Sequence, residues 1–280
     1  MIVAVSMVKN ESEIITYTAS HLLANGIDSI IIADNNSTDG TGDLVRRFAK
    51  HGGYDITVID EPMTAFDQSS VITKLYLMAI DKGARWVIPF DADELFIGHG
   101  SRISDILLSL DTSRALKVKL YDYRPTNLDR FPGDHNPFRR WSFRNKEAEG
   151  LRKVIVPNMG KDVVIWQGNH GVGMGSNEME YNETDLISIG HFRFHSGFRT
   201  YVNRVSDRIR GYNEAGLPDY QGVHYRKWMK ILDDRGPDGL EDYLESTYMV
   251  VFDDSGKINL NTGQAAEVIY DPVRYCGFKV

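Results

Sequence analysis

The sequence holds one cysteine, Cys276, among 280 residues, so it can form no internal disulfide. Lack of a disulfide framework fits a reducing compartment. Nowhere does it approach the roughly 20 consecutive apolar residues that a membrane-spanning helix needs. The apolar start Met1-Ile-Val-Ala-Val-Ser-Met-Val8 has no basic leader and meets Lys9 and Glu11 too early for a secretory signal. The expected location is the cytoplasm, with any work at a membrane done as a peripheral protein. Basic charge is not in excess: the formal net charge of −7 argues against a broad nucleic-acid-binding surface. There is no internal repeat and no low-complexity tract. What is present, 42% apolar and 25% charged residues, suits a globular chain with a sizeable core.

The first hundred residues alternate short apolar runs with amphipathic stretches, the pattern of strand-helix-strand units. Ile2 to Met7 reads as a strand. Asn10, with Glu13 three residues on, reads as a helix start; Ile15, Ala19, Leu22 and Leu23 share a helical face and Gly26 supplies the stop. Ser29 to Ala33 reads as a second strand and Ile56 to Ile59 as a third, with a short helix marked by Leu44, Val45 and Phe48 between them. Val71, Leu75, Met78 and Ala79 mark the next helix, and Trp86 to Phe90 is a buried strand running straight into Asp91.

Open parallel sheets bind ligands beyond the carboxyl ends of their strands. Three polar clusters follow strands here: Asn10-Glu11, Asp34 to Asp39, and Asp91 to Glu94. One crevice can collect all three. Beyond residue 100, the sequence suggests a helix around Ile103 to Leu110 and strands at Ala115 to Tyr123, Val154 to Val156, Val163 to Trp166 and Leu186 to Phe194. It also suggests a helix from Phe198 to Tyr212. Tyr123 to Gly150, rich in Pro, Asn, Asp, Arg and aromatics, reads as a long irregular connection, a candidate acceptor loop or lid.

Asp91 and Asp93 carry the chemistry a nucleotide diphosphate demands. Its concentrated negative charge is neutralised by a hard divalent cation held by one or two carboxylates plus phosphate oxygens. An isolated Asp-x-Asp is a common solvated turn. Here three carboxylates, Asp91, Asp93 and Glu94, end a buried strand, where their mutual repulsion calls for a cation.

Three segments, Val5-Ser-Met-Val-Lys-Asn-Glu11, Ile32-Ala-Asp-Asn-Asn-Ser-Thr-Asp-Gly-Thr41 and Trp86-Val-Ile-Pro-Phe-Asp-Ala-Asp-Glu-Leu95, together resemble family 2 glycosyltransferases of the GT-A fold. The branch is one with a Trp-x-x-x-x-Asp-Ala-Asp-Glu signature. The resemblance is specific over residues 1 to 100 and thinner beyond. It implies an α/β chain with a Rossmann-like nucleotide-binding sheet and an irregular acceptor-side half, forming one domain over 1–280. Within it, residues 1–100 would bind the nucleotide sugar, 101–215 would hold the acceptor and complete the metal site, and 216–280 would be a C-terminal helical extension.

The same resemblance implies a metal-dependent, inverting, hexosyltransferase-like enzyme using Mn2+ or Mg2+ and a UDP- or GDP-linked donor. Asn10, Glu11, Asp34, Asn36, Lys74 and Asp91 would line the donor pocket, and Asp91, Asp93 and His191 would hold the metal. His191 lies in Gly190-His-Phe-Arg-Phe-His-Ser-Gly197; His195, on the same strand face, and His170 are the other candidates for third ligand. Lys74, Arg199 and Arg204 could complement the diphosphate. The family's usual acidic pair for the base is missing between 124 and 200, which leaves Glu149 and Glu94 as candidate catalytic carboxylates, with Glu147 and Glu180 behind them.

A nucleotidyltransferase could share the fold pattern, but Val5 to Glu11 has no glycine with which to grip a triphosphate. A non-catalytic nucleotide-sugar-binding module is the third reading. The acceptor is open among glycans, lipid-linked glycans and modified nucleic acid. Trp141, Phe143, Tyr123, Trp166 and Trp228 are candidates to stack on it or to fill the core, and Arg139, Arg140, Arg144, Lys146, Arg152 and Lys153 could form a local basic groove.

Overall fold

A computed structural model of the protein describes residues 1–63, 67–127, 136–175, 177–259 and 267–277. The first half runs β1 (Ile2–Val8), α1 (Ile15–Ala24), β2 (Ser29–Asp34), α2 (Thr41–Gly52), β3 (Ile56–Asp60), α3 (Gln68–Asp81) and β4 (Trp86–Pro89). These four strands pair in parallel in the order β3-β2-β1-β4. All seven residues of β1 are buried, because both faces of the sheet are covered. Ile2, Ala4 and Val8 share a core with Ile15, Ala19 and Leu22 of α1 and Val45 of α2. Val3, Val5 and Met7 share the other with Val71, Ile72, Leu75, Tyr76 and Ala79 of α3. Gly26 closes α1 at φ 84°, and a β-carbon there would lie 2.2 Å from Ser104 Oγ.

The chain continues through β5 (Glu94–Gly98), α4 (Ile103–Ser109), β6 (Ala115–Asp122), α5 (Pro137–Arg140), β7 (Phe143–Asn145), β8 (Lys153–Pro157), β9 (Val163–Ile165), β10 (Val172–Met174), β11 (Asn177–Glu178) and β12 (Tyr181–His191). The eight-stranded sheet extends past β4 in the order β8-β6-β12-β5. Its directions decide what meets at the crevice. β8 is antiparallel to β4, so Lys153 at the start of β8 comes alongside the end of β4. β12 is parallel to β6 and antiparallel to β5, so His191 is in register with Asp122 on one side and Glu94 on the other. The carboxyl ends of β4, β6 and β12 and the starts of β5 and β8 therefore converge.

The remainder is α6 (Phe198–Glu214), α7 (Val223–Tyr248), β13 (Val251–Phe252), β14 (Ile258–Asn259) and β15 (Val268–Tyr270). The expected helical extension is thus helical only to Tyr248. Beyond it, Asp253 accepts hydrogen bonds from Ser255 and Lys257 in the turn that joins β13 to β14, and β15 pairs with β7. A second departure concerns Asn10, which does not cap α1. It takes φ 57°, its N–H donates to Ser37 and its side-chain oxygen accepts from the Thr38 N–H, while the helix starts on N–H groups that donate to the Glu11 carbonyl. The irregular connection after Tyr123 contains α5 and β7; its residues 128–135 lie outside the described residues.

Candidate active site

The strand ends open into a cleft of about 680 Å³, a volume suited to a small-molecule ligand. Its floor includes Asp91, Asp93, Glu94, Lys153 and His191; its far wall carries Arg193 and, from α6, α7 and the turn between them, Tyr201, Arg204, Arg208, Tyr212, Tyr220 and Tyr225.

Two of the three carboxylates expected to need a cation, Asp91 and Glu94, have one in the protein. Lys153, with 4% of its side chain exposed, places its ammonium 2.6 Å from Asp91 Oδ2 and 2.6 Å from Glu94 Oε1, a carboxylate only 1% exposed. Asp91 Oδ1 accepts from Gln68 Nε2 at 2.9 Å and from Asn169 Nδ2 at 3.2 Å. Gln68 Oε1 in turn accepts from the Gly168 N–H at 3.1 Å, tying the start of α3 to the Gln167–Asn169 turn. Burial works against the charge of Lys153, and the two carboxylates outweigh it, so the ammonium is held above the ordinary lysine range. Burial pushes Glu94 up, with Lys153 opposing.

Asp93 belongs to a second chain of contacts. His191 Nε2 is 3.3 Å from Asp93 Oδ2, and His191 Nδ1 is 2.7 Å from Asp122 Oδ1. Burial alone would neutralise this imidazole, but the flanking carboxylates raise it to about 10. Asp93 and Asp122, although buried, are held well below the usual carboxylate range, Asp93 chiefly by His191 and Asp122 by Arg193 and His191. Glu149 is hydrogen-bonded to Asp122, and its N–H donates to the Leu120 carbonyl at 2.8 Å, which fixes it beside the end of β6. Burial and the Asp122 charge both raise its proton affinity.

Along the cleft from this chain, Glu11 accepts from Arg204 at 3.2 Å, and Arg204 also donates to the Asn10 carbonyl. His195 Nε2 stands 3.3 Å from Glu11 Oε2, off the geometry of a hydrogen bond. Burial works against Arg193, and Asp122 at 3.8 Å holds its charge.

The expected residues divide into three groups: the cleft, the turn cluster beside it, and ion pairs elsewhere. Glu11, Asp91, Asp93, Glu94, Glu149, His170, His191 and Arg204 line the cleft. Asn10, Asp34 and Asn36 form the adjoining turn cluster, where Asp34 accepts from the Ser37 N–H and Asn36 donates to the Met63 carbonyl. Lys74 pairs with Glu61 at 3.5 Å, and Arg199 pairs with Asp238 and Glu241, tying α6 to α7. Glu180 pairs with Arg114 at the surface. His170 Nδ1 lies 2.9 Å from the Arg152 carbonyl, and burial lowers it to about 4.

Several of the basic residues from 139 to 153 are committed to carboxylates: Arg144 pairs with Asp271, Lys146 with Glu267, and Lys153 with Asp91 in the floor. Trp141, Tyr123 and Trp228 are core. Sequence reasoning missed Lys153 as a partner of the motif, Asp122, Gln68, Arg193, Arg208 and the wall tyrosines. The one usable signal was Asp122, which ends a strand as Asp91 does.

For a divalent cation, Asp93 and His191 offer adjacent oxygen and nitrogen donors, the imidazole ligating once its proton is displaced. Asp91 has both oxygens engaged by neighbours. Among the described residues no three His, Cys, Asp or Glu side chains form a ready metal cluster. Two protein donors plus diphosphate oxygens suffice for such an ion.

A family model described as "Glycosyl transferase family 2" matches residues 4–158. The match ends one residue past β8, so it contains the floor carboxylates and Lys153 but neither His191 nor α6 and α7. Among solved structures, the chain is similar to the mannosyltransferase PcManGT from Pyrobaculum calidifontis in complex with GDP-Man and Mn2+, at 14% identity and a TM-score of 0.41, covering 88% of this chain and 74% of that one. It is also similar to TarS 1-349 from S. aureus, at 10% identity and a TM-score of 0.42, covering 95% and 98%. No curated protein sequence matches significantly.

Proposed function

The chain belongs to glycosyl transferase family 2, and from that premise we propose that it moves a sugar from a UDP- or GDP-linked donor to an acceptor hydroxyl, with a divalent ion and inversion at the anomeric carbon. The carrying observation is one cleft that holds Asp93 and His191 as adjacent donors and Glu149 as a carboxylate of raised proton affinity. A bound Mn2+ or Mg2+ supplies charge neutralisation to the leaving diphosphate. Asp93 and His191 hold that end of the donor. Arg193, Arg204 and Arg208 bring further positive charge to the cleft. Glu149 takes the acceptor's proton as the acceptor oxygen attacks the anomeric carbon from the side opposite the departing diphosphate, and the Asp122 carboxylate accepts a hydrogen bond from the protonated Glu149.

No helix among the described residues is long and apolar enough to cross a membrane.

A thermal-shift screen of nucleotide sugars with and without Mn2+ tests this reading. One base and sugar at about 100 times its dissociation constant should stabilise the chain by roughly 2.7 kcal/mol, and only with the metal. A flat response across UDP- and GDP-linked donors would count against it.

A further inference from the structure

The cation on the motif's first carboxylate is part of the chain. A strand lysine whose side chain is 4% exposed survives burial only through its partners, and Lys153 has two, at 2.6 Å each. Its ammonium fills the point from which Asp91 Oδ2 and Glu94 Oε1 could jointly bind an ion. Nothing in Asp91 is left over, because Gln68 and Asn169 take its other oxygen. Glu94 is committed as well: its Oε2 accepts from the Asp91 N–H at 3.2 Å. Asp93 differs from both, since its near partner is His191.

We propose that Lys153 is a built-in counter-cation and positioning residue, which occupies the place on Asp91 and Glu94 that a divalent ion would otherwise take and so confines metal to Asp93 and His191. The spacing of the sheet enforces it. β8 runs antiparallel beside β4, so the ammonium is delivered to the strand end by backbone pairing rather than by a mobile loop. Gln68 and Asn169 then fix the Asp91 carboxylate against Lys153. The functional meaning rests on the glycosyl-transfer reading: the donor diphosphate meets a floor in which Asp91 and Glu94 are already neutralised by Lys153 and one carboxylate is left for an ion.

Mn2+ binding to the full chain without donor, followed by electron paramagnetic resonance, decides the inference. Lys153→Met should bind Mn2+ at least about tenfold more tightly than the unaltered chain, because two carboxylates lose their resident cation and become free as oxygen ligands. Lys153→Gln, which keeps hydrogen-bonding capacity without charge, should gain in the same direction and serves if the methionine variant folds poorly. Lys153→Met/Glu94→Gln, which removes the buried charges as a pair, should fall back towards the unaltered affinity. A merely structural lysine would leave Mn2+ affinity unchanged or weaker in both single variants, and that result overturns the inference. The donor reading fails by a different sign, the absence of any nucleotide-sugar response in the unaltered chain.

Discussion

The floor of the cleft and the wall opposite it are built on different terms. The floor is made of strand ends from one sheet, and each of its carboxylates has a buried partner: Lys153 for Asp91 and Glu94, His191 for Asp93. The wall comes largely from α6, α7 and the turn between them, where Tyr220 is 77% and Val223 59% exposed. Gly216 and Gly222 bracket that turn at positive φ, and a β-carbon on Gly222 would strike the Tyr212 ring 2.0 Å away. Leu151, 63% exposed, adds a third apolar residue to the cleft rim. Buried charge pairs fix geometry because removing either member strands the other. Exposed apolar side chains can change without that cost. On the proposed reading, the floor suits the invariant part of a donor, and the exposed apolar rim of the wall suits the acceptor.

Four changes break or sharpen this comparison. Asp93→Ala should lower kcat for transfer or donor hydrolysis by on the order of a thousandfold while the circular dichroism spectrum persists, since it removes a carboxylate from the leaving-group side. Glu94→Ala should act on the fold instead. It leaves Lys153 buried with one carboxylate fewer, at about 3 kcal/mol or more in urea unfolding.

The third change is a pH dependence remote from the cleft. His21 is buried and lowered to about 4 by burial, with its Nε2 2.8 Å from the Phe96 carbonyl. Its Nδ1 accepts from the Cys276 N–H, so the neutral ring carries its proton on Nε2 and donates it to Phe96. Because the folded-state value lies below the unfolded one, this stability is complete above pH 6.5 and is lost as pH falls through 4, by about 3 kcal/mol. Urea midpoints measured across that range should decline, and His21→Gln should lack this part of the slope. The smallest effect belongs to the wall. Tyr220→Ala should raise the acceptor KM severalfold and leave the unfolding free energy within about 0.5 kcal/mol; a large loss of stability there would erase the contrast.

The sheet of the first hundred residues was legible because its signals are local. Short apolar runs, helical faces and Gly26 placed β1 to β4 within a residue or two, and with them Asp91 at a strand end. Lys153 was not legible. It stands far along the chain from Asp91 and reaches it only because β8 pairs antiparallel with β4, a contact that no periodicity encodes. In the sequence it read as one of six neighbouring cations. Asp122 was legible as an acidic strand end, but its role was not, since that depends on register with His191 across β6 and β12. Asn10 misled in the opposite way: a residue with capping chemistry spent its side chain on the neighbouring turn. Tyr201 and Tyr212 followed the expected helical face of α6, whereas Tyr220 carried no pattern because it lies in the turn between α6 and α7.

The most direct test is calorimetric titration of the full chain with the nucleotide sugar picked out by the Mn2+ screen, repeated on Asp93→Ala. The account predicts one donor per chain, bound only with the divalent ion, and loss of that metal-dependent binding in the variant. Equal binding by both proteins, or binding indifferent to the metal, would contradict it.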